Sequence, residues 1–111
     1  MRRGAGMLAE EAGKMRRIGK RQLFGDILDR LRGEKVYVTF DIDGIDPAYA
    51  PGTTAPVPGG YTSSEAIRMV RHLKGFNTVG FDVVEVQPRY DVGDMTSIVA
   101  ATLLFEYLST L

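Results

Sequence analysis

Cysteine is absent from the chain, which rules out a disulfide, a thiolate metal ligand and a cysteine nucleophile, and leaves a reducing compartment permitted. There is one histidine, His72. No charge of either sign is in excess: 14 Lys and Arg balance 14 Asp and Glu. A nucleic-acid partner would call for a basic surplus, so none is expected. Long apolar runs are also missing. The longest, near Ile98–Phe105, is far too short to span a bilayer. The opening residues MRRGAGMLAEE lack the apolar core of a secretory signal. A soluble, cytoplasmic chain is the expectation, with neither nucleic acid nor membrane as partner.

What is present is ordinary in bulk and uneven in detail. The 111 residues, 44% hydrophobic and 25% charged, suit one small globular domain or a piece of a larger one and argue against disorder. Charge divides along the chain. Residues 1–35 carry ten basic and five acidic side chains, a net of +5, whereas 36–111 carry four basic and nine acidic, a net of −5.

Leu23, Phe24, Ile27, Leu28 and Leu31 recur at helical spacing, predicting an amphipathic helix over Gln22–Arg32 with Gly33 as its stop. VYVTFDI (Val36–Ile42) is β-branched and aromatic almost throughout and reads as a strand. A Gly/Pro-rich loop follows from Asp43 to Tyr61, of a length that tends to be functional. Thr62 and Glu65 form a capping box for a helix through Lys74, ended by Gly75. Thr78–Val86 (TVGFDVVEV) is a second apolar strand. Beyond a loop over Gln87–Gly93, a helix from about Asp94 to Ser109 is apolar on nearly every side and is expected to be buried all round. The order helix, strand, helix, strand, helix implies α/β architecture with parallel strands. Parallel sheets need cover on both faces and are hardly ever two strands wide. The chain therefore reads as the C-terminal portion of a single larger domain, with 1–35 a lead-in and helix and 36–111 the half that carries the chemistry.

Ligands of open α/β sheets bind beyond the carboxyl ends of the strands. Asp41 and Asp43 fall where the first strand ends and Glu85 where the second ends. On an extended chain, residues two apart point to the same side, so the two aspartates should face one another. Adjacent carboxylates repel unless a cation lies between them, and hard divalent ions such as Mn²⁺ or Mg²⁺ take oxygen ligands. The plainer alternative is that the Asp-x-Asp caps a loop. Asp46 with Pro47 is a turn-starting pair, expected to brace the loop together with Gly52. Glu85, read as part of an apolar strand, needs a partner: an arginine in a structural salt bridge, or a cationic substrate group. Asp82 is expected to make internal hydrogen bonds, and His72 to occupy a surface helix position.

FDIDGIDPAYAPGTTAPVPGG, followed by GFDVVEVQPRYD and DMTSIVAATLLFEYL, resembles the C-terminal half of the ureohydrolases, the arginases and agmatinases, from about Val36 to Leu111. The loop DIDGIDPAYAPGT is more similar to the agmatinase-like members. The resemblance implies a three-layer α/β/α fold with a parallel sheet and a binuclear Mn²⁺ site. Its implied activity is hydrolysis of a small guanidino compound, agmatine-like, to urea and an amine. On the same resemblance Asp41 and Asp43 match two metal-ligand positions and Glu85 the glutamate that pairs with the substrate guanidinium. The family's His-Gly-Gly-Asp-His-like and Asp-Ala-His-x-Asp-like segments, which supply the other ligands, are absent from this sequence. Activity would then require the missing N-terminal half, and the expected assembly is a homo-oligomer or a pairing with that half. Two smaller departures are Ala55, where the family's loop has a threonine, and Gln87 in place of asparagine.

Two other readings compete. A haloacid dehalogenase-type Mg²⁺-dependent phosphatase also has a strand ending in Asp-x-Asp-Gly, but Ile45 stands where it wants Thr or Val. Alternatively the chain is a non-catalytic assembly module of the ureohydrolase fold.

Overall fold

A computed structural model describes residues 20–111. The lead-in ahead of them lies outside the described residues. Helix α1 (Lys20–Arg30) buries Leu23, Phe24 and Ile27 and leaves Asp26 and Asp29 in solvent, as its spacing requires. It ends two residues before the expected Arg32. The Leu31 amide still bonds back to the Ile27 and Leu28 carbonyls, and Gly33 then turns the chain at φ +80°.

Strand β1 (Val36–Asp41) and strand β2 (Thr78–Val84) pair in parallel, with Val38 opposite Phe81 and Phe40 opposite Val83. The ladder carries an irregularity between Val36 and Tyr37, where Val36 faces Thr78 but Tyr37 faces Gly80. Among the described residues the sheet has only these two strands. Both end earlier than expected: β1 stops at Asp41, one residue short, and β2 stops at Val84, two residues short.

Helix α2 (Ser63–Arg71) begins with the predicted capping box: Thr62 Oγ1 accepts from the Glu65 amide, and Glu65 Oε1 accepts from the Thr62 amide. It stops three residues before Lys74. The His72 amide closes the last turn on the Arg68 and Met69 carbonyls, and the chain reverses through Gly75 at φ +102°. His72 is half-buried rather than on the surface, its ring stacked on Phe24 at 5.3 Å.

Helix α3 (Met95–Leu108) is buried on one side only among the described residues. Thr96, Ala100, Leu103 and Tyr107 form its buried stripe. On its other side Ile98, Phe105 and Leu108 are 61%, 67% and 63% exposed. A helix without polar residues to mark its outer face gives no phase to its burial; packing chooses the face. Tyr107 is the anchor: it stacks on Phe81 at 4.7 Å and bonds Thr78 Oγ1 through its hydroxyl. An Arg71–Glu106 ion pair ties α2 to α3.

The core gathers between one face of the sheet and the helices: Phe24, Met69, Val70 and Leu73 close on Val38, Phe40 and Phe81. The described residues thus form one sheet layer and one helical layer. None of their helices is long and apolar enough to cross a membrane.

Candidate active site at the strand ends

Beyond β1 the chain does not continue extended. It bends at once into a 3-10 turn, Ile42–Gly44, nucleated by Asp41, whose Oδ1 accepts the Asp43 amide at 3.1 Å. Ile42 and Ile45, almost fully buried, pin this turn to the core. Asp41 and Asp43 still meet, but through the turn and not by strand alternation. Burial raises the Asp43 carboxyl, and a hydrogen bond with Asp41 and the charges of Asp41 and Glu85 raise it further, to about 6. The three acids at the strand ends therefore share one electrostatic neighbourhood.

Glu85 departs from its expected setting. It lies past the end of β2, exposed, with φ +72°. The left-handed conformation is costly for a residue with a Cβ, about 1–2 kcal/mol, and residues held there cluster at functional sites. Its side chain is thus presented to solvent beside Asp43 and not interred in the sheet.

The long loop is closed at its base and braced within. Ile45 and Tyr61 bridge, with the Asp46 amide on the Tyr61 carbonyl at 2.8 Å and the Tyr61 amide on the Gly44 carbonyl at 2.9 Å. Gly60 fits this crossing because a Cβ there would stand 2.6 Å from the Gly44 carbonyl oxygen. Asp46 spends both oxygens inside the loop, accepting from the Ala48 amide at 2.9 Å and the Gly59 amide at 2.8 Å. Those amides hold its carboxyl below the usual range. Pro47 follows, half-buried, in the same turn. Ala55 is exposed on the loop.

Farther along, Gly52 joins the two strand-end loops. Its amide donates to Thr96 Oγ1 at 2.8 Å and its carbonyl accepts from the Gln87 amide at 2.8 Å. A Cβ at Gly52 would sit 2.9 Å from Asp91 Cβ and Cγ. Asp91 and Thr96 are structural residues that the sequence reading missed. Asp91 Oδ1 accepts the Val92 and Thr96 amides and Oδ2 the Ser97 amide, at 2.9–3.1 Å. Burial alone would raise this carboxyl, but the Thr96, Ser97 and Val92 bonds overcome it and hold it at about 2. The expected start of the helix, Asp94, has φ +60° and makes no side-chain cap bond. An acid shortly before a helix is a legible signal; the choice among Asp91 and Asp94 was not.

The donors at the strand ends are hard carboxylate oxygens, which suit a divalent manganese ion. Asp41 and Asp43 are only part of a ligand set, since no group of three His, Cys, Asp or Glu able to hold a metal occurs among the described residues.

The chain is 47% identical over 103 residues to an agmatinase of Enterobacter sp. (strain 638), covering 93% of the chain and 34% of that protein. It is 46% identical over 89 residues to the human mitochondrial guanidino acid hydrolase, covering 80% of the chain and 25% of that protein. A crystal structure of a hypothetical agmatinase from Burkholderia thailandensis superposes with a TM-score of 0.80 at 44% identity, over 86% of this chain and 30% of that one. The chain therefore spans a quarter to a third of the length of these relatives, and its two layers are part of their α/β fold. The family model for the arginase family matches residues 2–109, and the chain belongs to that family.

Proposed function

We propose that the chain supplies the strand-end half of an active site that hydrolyses a guanidino compound to urea and an amine with Mn²⁺. The observation that carries this is Glu85: an exposed carboxylate held at φ +72° beside Asp43, within a chain of the arginase family. A planar guanidinium offers paired N–H donors, and a carboxylate accepts them in two parallel bonds. Glu85 binds and orients the substrate cation in this way. Asp41 and Asp43 would hold manganese on their carboxylate oxygens. When bound, manganese supplies Lewis acidity that makes water a nucleophile near neutral pH. Water adds to the guanidinium carbon, its C–N bond to the substrate chain breaks, and urea and an alkylammonium leave. Asp91, Thr96 and Gly52 keep the two loops, and hence Glu85 and the aspartates, in register.

The substrate class rests on what the relatives share. One is named an agmatinase and the other a guanidino acid hydrolase, and agmatine, like a guanidino acid, carries a guanidino group. Family membership leaves the phosphatase reading without support. The assembly-module reading keeps one observation in its favour, the incomplete ligand set among the described residues.

The test supplies the rest of the fold from the Enterobacter agmatinase, joined ahead of this chain, with Mn²⁺. Urea should appear from agmatine or a guanidino acid, Asp43→Ala should abolish it, and Glu85→Gln should lower kcat/KM at least about tenfold with manganese still bound. Urea from neither substrate would leave the assembly-module reading standing.

A further inference from the structure

The two strand-end loops, residues 42–62 and 85–94, carry Asp43, Asp46, Glu85, Asp91 and Asp94 and a single cation, Arg89. Arg89 stands in the 3-10 turn Pro88–Tyr90, four residues past Glu85. A cation among so many acids would ordinarily be neutralised by one of them. Among the described residues no carboxylate lies within ion-pair distance of it, whereas Arg32 is paired with Asp29 and Arg71 with Glu106. Asp91, two residues on, gives its oxygens to the Val92, Thr96 and Ser97 amides, and Asp46 gives its own to Ala48 and Gly59.

Arg89 is held by its neighbour instead. Its guanidinium lies 4.9 Å over the Tyr90 ring, and one of its N–H groups donates to the Tyr90 hydroxyl at 3.0 Å. A neutral phenol orients the guanidinium and leaves its charge unspent, and both residues are exposed. The turn beneath them is anchored. The Gln87 amide donates to the Gly52 carbonyl at 2.8 Å, and the Tyr90 and Asp91 amides close back on the Gln87 and Pro88 carbonyls at 3.0 Å. Arg89 is thereby tied to the loop that follows Asp41 and Asp43. Four residues of chain extend no more than about 14 Å. An exposed carboxylate, Glu85, and an exposed guanidinium therefore stand within the reach of one small molecule.

We propose that Arg89 receives the carboxylate at the far end of a guanidino acid whose guanidinium is held by Glu85. Arg89 is then a specificity-determining residue. This role rests on guanidine hydrolysis at the site and narrows its substrate class. A guanidino acid is cationic at one end and anionic at the other, the reverse of Glu85 and Arg89 in turn. The planar fork of an arginine accepts a carboxylate in two parallel bonds. Agmatine carries an ammonium at its far end and meets a like charge there, which discriminates against it.

The test uses the same chimera, this chain joined behind the rest of the Enterobacter agmatinase with Mn²⁺, and measures kcat/KM for 4-guanidinobutanoate and for agmatine. The ratio of the two, acid over amine, cancels what the borrowed half contributes to both. Arg89→Gln should lower that ratio at least about tenfold. The acid should lose mainly through KM, and agmatine should gain as the like charge is removed. Arg89→Lys keeps the charge without the planar fork and should restore part of the ratio. A ratio unchanged by Arg89→Gln, or both substrates weakened alike, would overturn the proposal and leave guanidine hydrolysis standing. Urea from agmatine and none from the acid would do the same. Urea from neither substrate overturns the hydrolase reading and the role of Arg89 together.

Discussion

Replacing Asp91 tests how the site's framework is held. Its carboxylate takes the Val92, Thr96 and Ser97 amides, so Asp91→Ala removes the acceptor from the Thr96 and Ser97 amides in the first turn of α3 and from the Val92 amide ahead of it. The Val92 amide belongs to an exposed residue and can turn to water, but Thr96 is 0% exposed. Leaving that buried donor unmade costs about 1–3 kcal/mol, and losing a helix cap costs about 0.5–2 kcal/mol. The two overlap in the same bonds, so the expected loss is about 2–3 kcal/mol, or a Tm lower by roughly 10–20 °C for a chain of this size. Asp91→Asn retains an acceptor and should cost about 1 kcal/mol. The pH dependence gives a sharper check. Asp91 sits at about 2 in the folded chain against an ordinary 3.8. The unfolded chain then binds more protons between those values, so stability from Asp91 rises with pH there. That stability is fully present above 3.8 and is lost as pH falls through about 2. Urea unfolding followed by circular dichroism should show the gap between the native chain and the Asp91→Asn variant narrowing over that window. An Asp91→Ala loss below about 0.5 kcal/mol, or a gap indifferent to pH, would refute the assignment.

Other substitutions probe the same junction and the acids beside it. Gly52→Ala drives a Cβ to 2.9 Å from Asp91 Cβ and Cγ; denaturation should show a loss of about 1–3 kcal/mol, shrinking in an Asp91→Gly background, and strict additivity would count against the contact. Glu85→Gly relieves the left-handed backbone at φ +72°, so it should gain about 0.5–1 kcal/mol in stability while the reconstituted enzyme loses urea release. Asp43 sits at about 6, above its ordinary value, so the folded chain binds more protons than the unfolded one between 3.8 and 6 and loses stability as pH rises through that range. Asp43→Asn should accordingly stabilise the metal-free chain more at pH 7 than at pH 4, and in the native chain Mn²⁺ binding by calorimetry should strengthen as pH rises through about 6.

Local chemistry was legible where cause and effect lie within one or two turns. The Thr62–Glu65 box joins residues three apart, the α1 stripe repeats every three or four, and Gly33 and Gly75 mark reversals that a positive φ requires. Val36–Asp41 is a strand by its β-branched and aromatic content alone, and the alternation of elements implies parallel pairing. The Asp41–Asp43 pair and Glu85 could be marked from their places at the strand ends, and the quoted motifs led to the family. Other features were decided by contacts between distant parts of the chain. Gly52 reaches Thr96 across 44 residues, and that contact gives Asp91 its role over Asp94. Helix α3 has apolar residues around its whole circumference, so its composition holds no information about which side turns inward; Tyr107 packing on Phe81 settles it. Glu85 belongs to an apolar run that looks continuous through Val86, yet pairing ends at Val84 because β1 has no residue left to offer past Asp41. Strand propensity is a property of a segment, but the length of a ladder is a property of both strands, and only the fold brings the two together.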